Sequence, residues 1–544
     1  MSLDPGRMRS TELTPAQFAT LRQPPTGPDD TWIGDDEPRR RLSIVRVLLA
    51  IVIFAAVGYG GFVFARSKLE PTVPIHKTWF APYVDVTLPP FLQFQSTSDD
   101  PARQTVLGFV VDSPVPSQPC KPSWGGAYSL KGADQALAVS SKVAQMQQDG
   151  GQVIMSFGGE AHTSLDVSCP SVPALVRAYH SVISRYHLTT IDLDVEGTAL
   201  DDVGATRRRA AAIADLQRAA QASGKRLTVW LTLPVEPSGL PDDALSVISA
   251  MLADRVALAG VNVMTMDFAE PPGGGKTMLK LVTEALYASH AQMIALLQRF
   301  GEPPATAQVW QRLGATVMIG QNNIRNEIFT VSDAAGLVAF ARGIGLGRVS
   351  MWSLNRDNQC GTSFPEIGLM SNTCSGTAQS ALQFASIFNK LPGQSIAFAN
   401  LATTPNPIVP NTNPSDAPYP LWSAEQQYAA GYKVVEHGEI YQAKWFNSAD
   451  DPAAVVQFSY QTPWELIGPV LPGDRAPVIP TLPPGTYPVW KRGASYTAGA
   501  KVTFRGLGYI AKWDNQGDSP ATSIDNPTGS AWRPLYRIPG EPVN

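Results

Sequence analysis

Between about Thr78 and Gly393, short apolar, β-branched runs alternate with longer amphipathic stretches, and no other feature limits the possible folds as strongly. The runs begin at Trp79, Val106, Gln152, Thr189, Leu227, Gly260, Thr316 and Arg348, and helical stretches such as 134–148, 172–186, 205–224 and 333–344 fall between them. Eight such βα units over roughly 300 residues predict an α/β fold, a closed parallel TIM barrel, with an open doubly wound sheet as the rival. In a barrel, chemistry gathers at the carboxyl ends of the strands. The Asp, Glu, Gln and Trp residues of these runs lie there.

The flanking regions have a different texture. From Val47 to Ala65 the chain carries no charge, about the length that spans a bilayer as a helix, and Arg39, Arg40, Arg41 and Arg46 precede it. That predicts a transmembrane helix at 47–65, a disordered cytoplasmic tail at 1–46, and every later domain outside the cell; a cleaved signal peptide and secretion are the alternative. The balance of 42 basic against 46 acidic residues lacks the positive field that captures nucleic acid. A monomer is expected.

After a barrel domain at 78–394, a Pro/Asn/Thr/Ser linker is expected at 395–418. Two copies of one small unit follow, at 419–467 and 487–537, separated by a proline-rich spacer at 468–486. They match at a constant offset of 68 residues: Tyr419/Tyr487, Tyr428/Tyr496, Gly438/Gly506, Tyr441/Tyr509, Trp445/Trp513 and Trp464/Trp532 among others. Short β runs around a Gly turn predict small antiparallel sheets whose aromatics partly build the core.

Asp192, Leu193, Asp194, Val195 and Glu196 alternate acid with aliphatic. Alternate strand residues share a face, so the three carboxylates point the same way, neighbours roughly 7 Å apart. Acids so close cannot all ionise cheaply, and at least one keeps a proton near neutrality, which makes a general acid. A solvated polar face is the plainer reading, but parallel strands are normally buried on both sides.

TTIDLDVEG (189–197) resembles the DxxDxDxE strand of glycoside hydrolase family 18 chitinases, and Ser156-Phe157-Gly158-Gly159 resembles that family's SxGG strand. The resemblance continues through VNVMTMD (261–267), MIGQN (318–322) and MWSLNRD (351–357), and is closest to bacterial members. It implies a TIM barrel that hydrolyses β-1,4-linked N-acetylglucosamine polymers with retention and without a cofactor or metal. Glu196 would protonate the glycosidic oxygen. Asp194 would orient the 2-acetamido group whose oxygen attacks the anomeric carbon, and Asp192 would share a proton or hydrogen bond with Asp194. Such a substrate-assisted route departs from the two-carboxylate scheme that most glycosidases follow. Asp267 and Met264 would meet the substrate from the sixth strand, Trp352 would form the floor beneath the sugar, and Gln321 would hydrogen-bond it; Trp352 as a core aromatic and Gln321 as a strand-end polar group stay open. Two departures stand out: Thr189 replaces the motif's first Asp, and Met266 replaces a Tyr that contacts the acetamido group, a role left to Tyr83 or Gln321. An endo-β-N-acetylglucosaminidase or an inactive chitin-binding lectin are the alternatives.

The repeats resemble chitin-binding modules of families 5 and 12, through YPxW, YxxG, GxxYxAKW and a closing Trp. This implies exposed rings at Trp445 and Phe446 in the first copy and Trp513 in the second, where Asp514 replaces the second aromatic. Four cysteines predict disulfides Cys120–Cys169 and Cys360–Cys374, in loops above the barrel. Gly273-Gly274-Gly275-Lys276-Thr277 lacks the first Gly of a phosphate loop, the six histidines form no metal set, and no GxSxG elbow occurs.

Overall fold

A computed structural model describes residues 78–541 apart from short internal stretches, the longest being 392–412, 363–369 and 270–275. The chain is parallel-stranded where the alternation predicts it. The strands are β1 (Trp79–Phe80, continued by Tyr83–Asp85), β2 (Gln104–Asp112), β3 (Gln152–Gly158), β4 (Thr190–Asp194), β5 (Thr228–Pro234), β6 (Leu258–Met264), β7 (Leu313–Met318) and β8 (Arg348–Trp352). They pair in order, and the broken first strand closes the ring: Trp79 registers with Arg348 on β8, whereas Tyr83 registers with Val106 on β2. The open-sheet alternative is thereby excluded, since β1 pairs on both sides.

Helices α1 (Leu130–Leu137), α2 (Val139–Gln148), α3 (Val172–Arg185), α4 (Val203–Ala222), α5 (Asp242–Ala253), α6 (Met278–Arg299) and α7 (Val331–Ile344) cover the ring. The continuous helix expected at 134–148 is two helices. Ala138 between them sits at φ +56, which breaks the α-helical ladder. The strand aliphatics Leu107, Met155, Leu193, Leu231, Val263 and Val317 face these helices in one buried core. That leaves the alternate residues pointing into the ring.

The structure carries both disulfides, Cys120–Cys169 and Cys360–Cys374. The first ties the segment entering a hairpin (Pro122–Trp124, Tyr128–Ser129) to the loop after β3; the second closes the loop after β8.

The expected single-pass anchor is corrected. Among the described residues no helix is long and apolar enough to cross a membrane, and the run 47–65, with the tail before it, lies outside them. Most of the linker expected at 395–418 also lies outside.

Each repeat forms a three-stranded antiparallel sheet plus a two-stranded one, and the 68-residue offset holds bond by bond. Ser423 N–H donates to the Tyr428 hydroxyl (2.7 Å) as Lys491 N–H does to Tyr496 (2.6 Å). Trp464 Nε1 donates to Asp450 O (2.8 Å) as Trp532 does to Asp518 O (2.9 Å). Burying an indole N–H requires such a partner.

The first repeat is packed against the barrel. Ala138 joins Tyr419, Val435, Ile440, Ile467 and Val470 in one apolar cluster. Tyr419 Oη donates to Asp134 O (3.0 Å) and Lys433 Nζ to Ala136 O (2.8 Å), both carbonyls of the last turn of α1. A Cβ on Gly468 would lie 2.2 Å from Ser141 O of α2, so backbone meets backbone there.

Candidate active site

The ring interior is polar where a barrel is usually aliphatic. Asp192 is fully buried, and four donors converge on it: Tyr83 Oη (2.9 Å), Ser156 Oγ (2.8 Å), Thr232 Oγ1 (2.8 Å) and Arg348 Nη1 (2.8 Å). Arg348, equally buried, also donates through Nε to Ser350 Oγ (2.8 Å) and lies 5.3 Å from the Trp79 ring and 5.5 Å from the Trp230 ring. Asn262 Nδ2 donates to Thr232 Oγ1 (3.0 Å) and Thr316 Oγ1 (2.6 Å), carrying the network to β6 and β7. A buried carboxylate needs this many partners, because stripping its water without replacement costs several kcal/mol.

Arg348 is the residue that the sequence pattern does not single out. Its run reads as a strand with Trp352 at the far end, yet Arg348, Ser350 and Trp352 share one face by the strand period, and that face is the interior. The charged partner of Asp192 is thus a base from β8, not an acid at position 189. Thr189 offers only its backbone carbonyl, to Thr228 N–H (2.8 Å).

Asp194 lies two residues beyond Asp192 on the same face, 5% exposed, and its Oδ1 has no hydrogen-bond partner. Burial, then the charges of Glu196 and Asp192, push its carboxyl well above the ordinary range, against the pull of Arg348. Asp192 has no hydrogen bond with Asp194; its oxygens are committed to the four donors. No hydrogen bond joins the two acids, and Asp192 acts on Asp194 through its charge.

Glu196 lies past the end of β4, half-buried. Burial first, then the neighbouring charges of Glu160 and Asp267, raise it to about 7, while the backbone N–H of Glu160 favours its charged form. The SxGG pattern explains this closeness. Gly158 has φ +111, and a Cβ there would stand 1.9 Å from Asp194 O, so only glycine lets β3 and β4 approach so tightly.

Trp352 ends β8 half-buried and stacks on Phe109, ring centroids 5.4 Å apart. Met264 and Met266 are also half-buried, at the end of β6 and just after it. Three residues expected to contact a ligand have their polar atoms engaged within the protein. Tyr83 is 1% exposed with its hydroxyl spent on Asp192, and Thr232 and Arg348 surround it. Gln321 is buried, and its side-chain N–H groups brace the loop after β7 through Asn322 O (3.0 Å) and Ile324 O (3.1 Å). The Asp267 carboxylate accepts from Asn323 N–H (2.8 Å), Asn323 Nδ2 (2.8 Å) and Ile324 N–H (3.3 Å), so it holds the same loop.

On the repeats, Trp445, Phe446 and Trp513 are exposed by 45%, 60% and 44%, whereas their neighbours Tyr428, Trp464 and Trp532 are buried. Lys444 Nζ lies 5.0 Å from the Trp445 ring and Lys512 Nζ 4.5 Å from Trp513, so a cation covers part of each ring.

Over 298 residues the chain is 33% identical to an Escherichia coli protein named probable bifunctional chitinase/lysozyme, a match covering 53% of this chain and 32% of that protein. It is 32% identical over 292 residues to Endochitinase 11 of Metarhizium anisopliae, covering 52% and 53%. The catalytic domain of a hyperthermophilic chitinase from Pyrococcus furiosus is 26% identical with a TM-score of 0.50, over 58% of this chain and 96% of that structure. These likenesses support a glycoside hydrolase of the chitinase kind. The chain spans between a third and about half the length of the curated relatives it matches, and no family model matches it.

Proposed function

We propose that the chain is a chitinase that cuts β-1,4-linked N-acetylglucosamine polymers with retention, using the substrate's own acetamido group as nucleophile. One observation carries this reading: a half-buried acid at a barrel strand end, protonated up to about pH 7, lies two residues from a buried acid with an unpaired oxygen. Glu196 gives its proton to the glycosidic oxygen as that bond breaks. The acetamido carbonyl oxygen closes on the anomeric carbon, and the free Oδ1 of Asp194 receives the acetamido N–H. Positive charge developing on the cyclised acetamide favours the charged form of Asp194 that burial disfavours. Glu196, now a carboxylate, takes a proton from the water that opens the ring. Substrate-assisted hydrolysis of this kind needs no second enzyme carboxylate as nucleophile. Trp352, stacked on Phe109, offers an apolar floor for the C–H face of a pyranose.

The repeats are read as chitin-binding modules, with Trp445, Phe446 and Trp513 as the stacking rings. Two weak sites on one chain raise the effective concentration of the barrel at an insoluble polymer.

The test uses the full chain on a chromogenic chitotriose, beside Glu196→Gln. The wild type is expected to release chromophore and the variant to lose activity by on the order of 10²–10⁴-fold, while both bind chitin beads and Trp445→Ala/Trp513→Ala binds them less. Wild type and Glu196→Gln equally inert, with binding retained, would leave a lectin instead.

A further inference from the structure

Both repeats close with the same kind of turn, Leu471-Pro472-Gly473-Asp474 in the first and Ile538-Pro539-Gly540-Glu541 in the second, at an offset of 67. Each turn bonds to itself. Leu471 N–H donates to Asp474 Oδ2 (2.8 Å) and Asp474 N–H to Leu471 O (3.0 Å); Ile538 N–H donates to Glu541 Oε2 (3.2 Å) and Glu541 N–H to Ile538 O (3.2 Å). Their surroundings differ. A Cβ on Gly473 would meet nothing within 4 Å, but one on Gly540 would stand 2.4 Å from Lys433 O, 3.0 Å from Tyr432 Cε1 and 3.2 Å from Pro420 Cδ, all in the first repeat. Lys433 N–H donates to Gly540 O (2.7 Å) across the same contact.

The receiving edge is particular to the first copy. Lys433 and Tyr432 are both buried there, whereas the residues 68 positions on are an exposed Lys501 and an alanine, Ala500. Lys433 is also held from the barrel side, where its Nζ donates to Ala136 O of α1 (2.8 Å). One residue thus touches all three units. The spacer between the repeats is fastened near both ends, through Arg475 Nη1 to Asp416 Oδ1 (3.1 Å) and through Leu482 N–H to Gly506 O (2.7 Å).

We infer that the closing turn of the second repeat is a clasp for the first, so that barrel and repeats move as one body and Trp445, Phe446 and Trp513 meet a polymer surface at one preset spacing. The part that concerns the rings rests on the carbohydrate-binding reading above. A strand edge offers N–H groups that another strand or water would otherwise take, and at Lys433 the chain's own closing turn takes one. Rings fixed beforehand lose less freedom on binding than rings on a loose tether, and the second contact gains accordingly.

The experiment compares full-length wild type, Gly540→Val and Gly473→Val. Both substitutions place a side chain on backbone at positive φ, +95 and +100, so they strain their turns alike, and only the first meets the other repeat. Hydrogen exchange of the Lys433 amide, the radius of gyration and affinity for chitin beads are measured. The amide is expected to be protected in wild type and Gly473→Val and to exchange freely in Gly540→Val. The radius should grow in Gly540→Val alone, and its bead affinity should fall, by no more than the on the order of 10²–10⁴-fold that a linked second site contributes. Rapid exchange at Lys433 in the wild type overturns the clasp with no variant needed. So does a Gly540→Val that matches wild type, or a Gly473→Val that releases the amide as fully. Release with bead affinity unchanged overturns the preset spacing. Should Trp445→Ala/Trp513→Ala bind beads as wild type does, the carbohydrate-binding reading fails by itself, and the exchange still decides the clasp.

Discussion

Replacing Arg348 by Met tests whether the acid row is held from behind. The substitution keeps the stem's volume against Trp79 and Trp230 but removes the guanidinium 2.8 Å from Asp192. Tyr83, Ser156 and Thr232 still donate, so the carboxylate is left hydrogen-bonded but without a counter-charge. Breaking a buried pair on one side costs about 3–5 kcal/mol, and at about 2–4 °C per kcal/mol for a domain of this order the barrel transition drops by roughly 6–20 °C. Removing both charges, in Arg348→Met/Asp192→Asn, recovers much of that loss, since a neutral replacement of a buried pair is often nearly free. Tryptophan fluorescence reports the transition directly, because Trp79 and Trp230 flank the guanidinium. A single variant costing under about 1 kcal/mol, or a double variant no better than the single, would refute the pairing argument.

Three further outcomes are expected. Glu196 is raised to about 7, so its proton is present below that pH and lost above it; kcat/KM of the wild type should fall about tenfold per unit above pH 7, and a limb nearer the ordinary carboxylate range would contradict the burial argument. The same sign makes the raised carboxyls of Glu196 and Asp194 a source of stability at low pH that is lost as pH rises through their folded values. Gly468→Tyr should release the first repeat from the barrel, because any Cβ at 468 meets Ser141 O at 2.2 Å and the backbone there, at φ +145, strains any side chain. Small-angle scattering would show a larger radius of gyration; an unchanged radius would count against the docking.

The strand period makes much of this legible in advance. Eight β-branched runs are enough for the barrel, and acid–aliphatic alternation places Asp192 and Asp194 on one face. Polar partners from other strands are not legible, because Tyr83, Thr232 and Arg348 meet Asp192 across separations of 40–156 residues, with no local pattern to join them. Tyr83 and Gln321 have chemistry that suits a ligand, but burial commits their polar atoms to the protein itself. The docking of the first repeat is hidden for a similar reason. Val435, Ile440 and Ile467 satisfy a small sheet's own pattern, and nothing local shows that their outer faces meet a helix pair.

The closing strand of the ring is also a spoke. Tyr83 belongs to the broken β1 that seals the barrel, and its hydroxyl reaches across the lumen to Asp192 on β4. With Ser156, Thr232 and Arg348 on the same carboxylate, and Asn262 and Thr316 one bond farther out, seven of the eight strands are wired to one atom group. Evolution could hardly edit such a hub one letter at a time: any descendant that traded the central acid would have to rewrite its neighbours together.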